Sequence, residues 1–167
     1  MIVNLDILIS ILPFAFAIHN LEEAISMENW TKSIPSKVHP KVTTAQFSIA
    51  VGLFTVLGFL ITLARNYYPS NEIYLLFVSG FAGMLFLNTF FPHLLATIYL
   101  KKYAPGVITG VLINLPLTIL ILWLVYKLQI ISNLQLGLSI LIGGLTGAIL
   151  AFLFLKIGRQ ITSIKWK

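Results

Sequence analysis

Apolar residues fill five long stretches of this sequence, and short segments rich in polar and charged residues separate them. The stretches cover residues 2–25, 46–64, 73–100, 107–126 and 134–157. A helix that crosses a membrane needs roughly 20 mainly apolar residues, and each stretch has about that length. The pattern therefore predicts an all-α fold, a polytopic bundle of five transmembrane helices that takes up residues 1–167 as a single transmembrane domain.

The composition agrees with this interpretation, because 58% of the residues are hydrophobic, 10% are charged and the mean hydropathy is +0.95. Ordinary soluble domains carry roughly 25% charged residues, so this chain lacks the polar side chains that a water-facing surface needs. The chain has no cysteine, which excludes disulfides, thiolate metal ligands and a cysteine nucleophile. The net charge of +6 is better explained by loops beside a lipid bilayer than by nucleic acid, which we do not expect as a partner.

Basic residues are concentrated in alternate connections and thereby predict an orientation. On one side of the bundle, the connections and the tail contain Lys32, Lys37, Lys41, Lys101, Lys102, Lys156, Arg159, Lys165 and Lys167. The other side has Arg65 and Lys127. Cytoplasmic loops carry the excess of lysine and arginine, so the N-terminus is expected outside and the C-terminus in the cytoplasm. The expected location is the plasma membrane of a prokaryote.

Prolines and glycines inside the apolar stretches predict where helices bend and where they touch. Pro92 removes a backbone donor from the third stretch and leaves the carbonyl of Asn88 without its helical partner. This stretch is also long for one crossing, so we expect a tilt or a kink. Gly143, Gly144 and Gly147 predict a close contact of the fifth helix with another, since small residues let two backbones approach.

A cluster of polar residues, His19-Asn20-Leu21-Glu22-Glu23, interrupts the first apolar stretch. On a helix, His19, Glu22 and Glu23 share one face. A central charged side chain costs roughly 2.5–3.5 kcal/mol on membrane-insertion scales, and ionisable residues at that depth usually mark a functional site. Two adjacent carboxylates with a histidine are also a poor choice for a merely structural contact. The cluster is therefore the first candidate site.

Two later helices are predicted to bring polar residues to the same level. His93 lies seven positions before the end of the third stretch and Asn114 seven positions after the start of the fourth. Both are then about 10 Å from the cytoplasmic side, with Asn88 and Thr89 about one turn deeper. We therefore expect a site between three antiparallel helices, near the cytoplasmic end of the bundle. The alternative is that these groups only satisfy one another, and for Asn114 alone that structural role is favoured.

Three short motifs lie within the first four apolar stretches and their connections. They are His-x-x-Glu-Glu at 19–23, His93 preceded by Asn88, and Tyr-Ala-Pro-Gly at 103–106. Together they resemble the HXXEE family of integral membrane proteins, whose other motifs are Asn-x-x-x-His and Tyr-x-Pro-Gly. Here Thr89 stands where the asparagine belongs, and a proline-induced bulge would bring Asn88 back into line. The resemblance covers most of the chain and implies no particular reaction.

The histidines and carboxylates predict a metal site that uses two helices. The first stretch has neither HExxH nor the last histidine of HxxEH, because Glu23 stands there. Adding His93 supplies two histidines and one carboxylate, a set that leaves the fourth position of zinc open for water. Either glutamate could be the ligand and the other the general base. The expected metal ligands are His19, Glu23 and His93, and the expected catalytic residues are His19, Glu22 and Glu23.

Zinc lowers the pKa of a bound water to about 7, which makes hydrolysis feasible at neutral pH. The predicted function is therefore a metal-dependent hydrolase or transferase that acts on an amphiphile or a peptide. The expected substrate contacts are Asn88, Tyr103 and Asn114. Tyr103 either turns its hydroxyl toward the site or anchors at the membrane interface, beside a type II turn in which Pro105 and Gly106 take the central positions.

Other functions would use the same residues. His19 could act as a general acid or base without a metal, oriented by the carboxylates. A small-molecule or proton-coupled transporter could relay protons through carboxylate–histidine pairs, although no inverted repeat is visible and a homo-oligomer would have to complete the pathway. A non-catalytic membrane subunit would explain the hydrophobicity but not the acidic pair. Ferritin-like di-iron chemistry is excluded, because it needs four carboxylates and two Glu-x-x-His pairs.

Overall fold

The structure, a computed structural model, describes residues 4–64 and 72–163, and every regular element within them is helical. The five long helices are α1 (Leu5–Ser33), α2 (Thr44–Leu63), α3 (Glu72–Leu100), α4 (Val107–Leu128) and α5 (Asn133–Ser163). Each is long and apolar enough to cross a membrane. The predicted all-α fold with five apolar helices is therefore confirmed. The predicted start at residue 2 and the basic residues Arg65, Lys165 and Lys167 lie outside the described residues.

Helix α1 is longer than predicted, because it continues past residue 25 to Ser33. Glu28 and Lys32 support the extra turns, with 2.6 Å between Oε1 and Nζ. Glu28 also accepts hydrogen bonds from the backbone N–H and the hydroxyl of Thr44 at the start of α2, at 2.6 and 2.8 Å. The helix ends just before Pro35, since the residue that precedes a proline is disfavoured in the helical conformation.

Helices α3 and α5 are in backbone contact, as the small residues of α5 predict. Gly143 packs directly on the backbone of Gly80. A Cβ atom at Gly143 would overlap the Gly80 carbonyl oxygen and lie 2.7 Å from its Cα. Gly144 and Gly147 pack closely on side chains of α3. Helix α2 lies against α1 and α5, while α4 lies against α1 and α3.

Adding one methyl group at this contact is expected to destabilise the protein. In Gly143→Ala the new Cβ meets fixed backbone atoms of Gly80, and overpacking of this kind costs roughly 1–3 kcal/mol. The matched control is Gly137→Ala in the same helix, where the added Cβ has no atom within 4 Å. That change should stabilise the helix by about 0.5–1 kcal/mol. Thermal unfolding in detergent compares the two, and equal effects would contradict the close contact.

Helix α3 is kinked at Phe91, where the backbone leaves the helical region and the peptide bond to Pro92 is cis. The kink belongs to a π-helical segment, Thr89–Leu94, in which the proline has no N–H to donate. Helix α4 contains a second π-helical segment, Gly110–Asn114. The hydroxyl of Thr89 in the first segment donates to the carbonyl oxygen of Gly110 in the second, at 3.3 Å. The predicted kink is confirmed, and the two irregular segments lie side by side.

Candidate metal centre

Two buried histidines face one another between α1 and α3. His19 is 0% exposed and His93 is 3% exposed. Their ring centroids are 4.8 Å apart, and the ring planes meet at 82°. His19 lies in the middle of α1, and His93 belongs to the π-helical segment of α3. Two separate helices therefore bring imidazoles to one place, as the sequence predicts.

Asn88 contacts both imidazoles through its side-chain amide. Its Nδ2 lies 2.8 Å from Nε2 of His93 and 3.4 Å from Nε2 of His19. A π-helical turn aligns residues five positions apart, which is the separation of Asn88 and His93. The bulge therefore brings the displaced asparagine back into line with the histidine. Both Nε2 atoms consequently face a single point.

The Glu23 carboxylate completes a triangle with the two imidazoles. Its Oε1 lies 3.4 Å from Nε2 of His93, and its Oε2 lies 4.0 Å from Nε2 of His19. Glu23 is 9% exposed. No N–H or hydroxyl group of residues 4–64 and 72–163 donates a hydrogen bond to this carboxylate. A buried carboxylate needs a compensating partner, and the two imidazoles are the groups in reach.

The three side chains form a donor set that fits a metal ion. One ligand atom from each of His19, Glu23 and His93 lies within 4.8 Å of the other two. Zinc bonds of roughly 2.0–2.2 Å in a tetrahedral site place ligand atoms about 3.3–3.5 Å apart. The distance between His93 and Glu23 already has this value, and the other two require small side-chain rotations. The amide of Asn88 occupies the point that both Nε2 atoms face, so it would turn aside for a bound ion.

Glu22 has surroundings very different from those of Glu23, the next residue in the chain. Its carboxylate accepts five hydrogen bonds at 2.5–3.3 Å, from the backbone N–H groups and hydroxyls of Tyr103, Gly106, Ile108 and Thr109. The backbone donors are free N–H groups at the N-terminus of α4, where a negative charge is favoured. Glu22 therefore joins the start of α4 to α1.

Thr109 links this carboxylate to the buried histidines. Its hydroxyl donates to Glu22 at 2.5 Å, and the same oxygen lies 3.0 Å from Nδ1 of His19. Since the hydroxyl proton is directed to Glu22, Nδ1 of His19 is the donor to Thr109 and Nε2 is left to face Glu23. Partners of this kind orient metal-binding histidines. Thr109 is not among the site residues predicted from the sequence, although the free N–H groups at the predicted start of the fourth helix could have indicated a carboxylate there.

The connection between α3 and α4 covers the cluster. Tyr103 donates to Glu22 at 2.6 Å. Partial burial, and then this hydrogen bond, raise the pKa of Tyr103 above its usual value. Gly106 has a φ of 85°, and a Cβ atom there would lie 2.7 Å from Cε1 of His93 and 2.8 Å from Cε1 of His19. Glycine is needed at this position for its backbone conformation and for the space it leaves.

Asn114, the third expected substrate contact, is not joined to these residues by a hydrogen bond. It is 1% exposed, and neither its Nδ2 nor its Oδ1 has a partner within the described part of the chain. In α4 it is Thr109, near the helix start, that reaches His19. The assignment of Asn114 to substrate binding stays a prediction.

A cavity of about 820 Å³ adjoins the cluster and is bordered by α1, α2, α3 and α5. Glu23 and His93 are the two members of the triangle that line it, together with Asn88 and Asn20. Most of the remaining wall consists of aliphatic and aromatic side chains. The triangle is therefore reached through a largely apolar space.

The sequence matches known proteins along most of its length. The model of a family described as "Protein of unknown function with HXXEE motif" matches residues 10–121. A protein of Bacillus subtilis (strain 168), named Uncharacterized protein YrkK, is 36% identical over 149 residues, which are 89% of this chain and 94% of that protein. No solved structure matches the chain. The matched region contains both histidines of the cluster and the connection that covers them.

Proposed function

This chain belongs to the family of proteins of unknown function with the HXXEE motif, and from this premise we propose that it is an integral membrane enzyme. In this proposal, the triangle of His19, Glu23 and His93 binds a divalent metal such as zinc. The reaction is a hydrolysis or a group transfer on a substrate held in the adjoining cavity. Zinc supplies a Lewis acid and activates water near neutral pH.

One observation carries the proposal: a buried carboxylate that accepts no hydrogen bond within the described residues lies against two imidazole Nε2 atoms. Buried charges in proteins are paired or coordinate metals. Neutral imidazoles compensate a carboxylate poorly, whereas a divalent cation between the three groups compensates it fully. Because Glu23 and His93 also line the cavity, the open metal position would face the substrate.

The two glutamates have separate tasks in this proposal. Glu22 is a positioning residue, because all five of its hydrogen bonds go to the start of α4 and to the connection before it. Through Thr109 it keeps His19 in the tautomer whose Nε2 faces the metal. Glu23 would hold the metal through one oxygen, and its second oxygen would be left to accept a proton from water or a substrate hydroxyl. Glu22 is predicted from the sequence as a catalytic residue, and in this proposal its role is to orient His19.

We place the protein in the plasma membrane of a prokaryote, with the N-terminus outside and the C-terminus in the cytoplasm. The α1–α2 and α3–α4 connections share one side of the bundle and contain Lys37, Lys41, Lys101 and Lys102. By the positive-inside rule, that side is cytoplasmic. The triangle lies directly beneath the α3–α4 connection, so the reaction would take place near the cytoplasmic surface. The Bacillus subtilis relative agrees with a prokaryotic setting.

A proton-coupled transporter is the second candidate, and one observation favours it. A continuous series of hydrogen bonds leads from Tyr103, which is 42% exposed, through Glu22 and Thr109 to the buried His19. Such series can carry protons in transporters. The enzyme proposal is preferred, because within the described residues this path ends at the triangle. The buried hydroxyls nearer the other end of the bundle, such as those of Ser79 and Thr118, are not joined to it by hydrogen bonds.

Metal analysis tests the enzyme proposal. Protein purified in detergent and supplied with zinc is expected to retain one equivalent, and Glu23→Gln or His93→Gln should weaken binding by more than about 100-fold, since each removes a ligand. The matched control is His39→Gln, because the third histidine of the chain lies outside the triangle. This control should bind like the wild type. No bound zinc in the wild type, or equal losses in all three variants, would overturn the metal site.

A further inference from the structure

The cavity beside the triangle has a polarity gradient along α1. Its wall follows that helix from Phe16 to Trp30, which is about 21 Å, and Glu23 lies halfway. On the side of Phe16, the wall is formed by apolar groups such as Phe54 and Met84. On the other side it includes the polar groups of Trp30, His39 and Tyr99.

We propose that this cavity binds an amphiphile with one long apolar chain, which lies in the half lined by Phe16 and Phe54. The polar head group lies in the half that contains Trp30. The bond between chain and head group then lies beside Glu23 and His93. This proposal rests on the proposed function for its chemistry, but the binding itself does not require the metal.

The distribution of polar groups favours an amphiphile over a peptide. A peptide carries an N–H and a C=O at every residue, and each one buried without a partner costs roughly 1–3 kcal/mol. In the described residues, the half of the cavity beyond Glu23 toward Phe16 offers Asn20 and Asn88 as polar groups, both close to the triangle. Asn20 already donates to Thr55 at 2.8 Å. An alkyl chain needs no partners and gains from burial on this surface.

Among the described residues, the half assigned to the head group contains a buried hydrogen-bond donor without an acceptor. The indole Nε1 of Trp30 is inaccessible to solvent and has no hydrogen-bond partner within residues 4–64 and 72–163. Buried indole N–H groups usually have one. Trp30 lines the cavity through other atoms of its ring, so a rotation of the indole would direct this N–H to an oxygen of the head group.

The wall of the cavity includes side chains on the outer surface of α3 and α5. Three of its lining residues are largely exposed: Phe91 at 70%, Tyr99 at 77% and Leu145 at 68%. In the proposed membrane setting these side chains face lipid, so an amphiphile would enter between them from the bilayer without crossing water. Entry from the bilayer is therefore a suitable route for an amphiphilic substrate.

Quenching of Trp30 fluorescence tests this binding. The chain has three tryptophans, so Trp123→Phe with Trp166→Phe leaves Trp30 as the single reporter. The probes are methyl esters of doxyl stearate, with the nitroxide near either the ester or the methyl end. We expect saturable quenching in nanodiscs, stronger with the nitroxide near the ester. Ala148→Phe, which narrows the cavity, should weaken it, and Ala148→Leu should weaken it less.

Ile149→Phe is the matched control, because this neighbouring residue is 61% exposed and does not line the cavity. It should leave the quenching unchanged. Glu23→Gln should lose zinc but keep the quenching, which separates failure of the metal site from failure of amphiphile binding. Three results would overturn the inference: quenching that does not saturate, quenching that Ala148→Phe leaves unchanged in a folded protein, or equal competition by an apolar tripeptide amide.

Discussion

Replacing Glu22 with glutamine is expected to lower the free energy of unfolding by roughly 2–4 kcal/mol. A helix cap contributes about 0.5–2 kcal/mol, and a hydrogen bond to a charged group about 1.5–3 kcal/mol. The carboxylate of Glu22 accepts all five of its hydrogen bonds, whereas an amide has one accepting oxygen and would direct N–H groups at donors. Unfolding of the purified protein in detergent by added SDS, with a chelator present, measures the loss.

Glu23→Gln is the matched control, because it is the same chemical change one residue along the helix. It removes a buried charge to which no N–H or hydroxyl of the described residues donates a hydrogen bond. The free energy of unfolding should therefore change by less than about 0.5 kcal/mol or rise. Its effect should fall on zinc binding instead. In Glu22→Gln zinc binding should weaken by about 10–100-fold, since His19 loses its orientation through Thr109. Equal loss of stability in both variants would contradict the separate roles proposed for Glu22 and Glu23.

Replacing Gly106 with alanine is expected to weaken zinc binding by about 10–100-fold, although this residue donates no ligand. The added Cβ would lie 2.7 and 2.8 Å from ring carbons of His93 and His19, so both imidazoles would have to move. The backbone would also have to keep a φ of 85° that alanine disfavours, which costs roughly 1–3 kcal/mol. Titration with cobalt follows the loss, because its absorption spectrum reports tetrahedral coordination.

Two further variants separate the causes. Gly106→Asn tolerates the left-handed backbone better than alanine but carries the same Cβ, so zinc binding should stay as weak as in Gly106→Ala. Gly52→Ala adds a Cβ where no atom lies within 4 Å, and it should bind zinc normally. If Gly106→Asn bound zinc like the wild type, backbone strain and not crowding of the imidazoles would be the cause.

The helices and the shared face of the cluster could be predicted from the sequence. Long apolar stretches predict the five helices, and the spacing of His19 and Glu23 by four positions places both on one side of α1. The end of α1 was predicted too early, because Glu28 and Lys32 make the last turns polar. Those turns are nevertheless helical, since an ion pair across one turn supports them and Pro35 is the first residue that stops the helix.

The roles of the two glutamates could not be predicted, because α1 alone does not distinguish them. The two residues differ in the later element that packs on each. The N-terminus of α4 packs on Glu22, and the π-helical segment of α3 packs on Glu23. That segment also changes the register that a regular helix would have, so Asn88 and not Thr89 aligns with His93. The spacing rules for regular α-helices do not predict this change of register.

Helix α1 supplies carboxylates to the beginnings of two later helices, Glu28 to α2 at Thr44 and Glu22 to α4 at Thr109. The consequence concerns biogenesis. A ribosome makes α1 first, so its two acceptors are in place when the exposed N–H groups of each later helix emerge from the translocation machinery. The first segment thus presents the acceptors for the starts of α2 and α4 before either of these helices is synthesised.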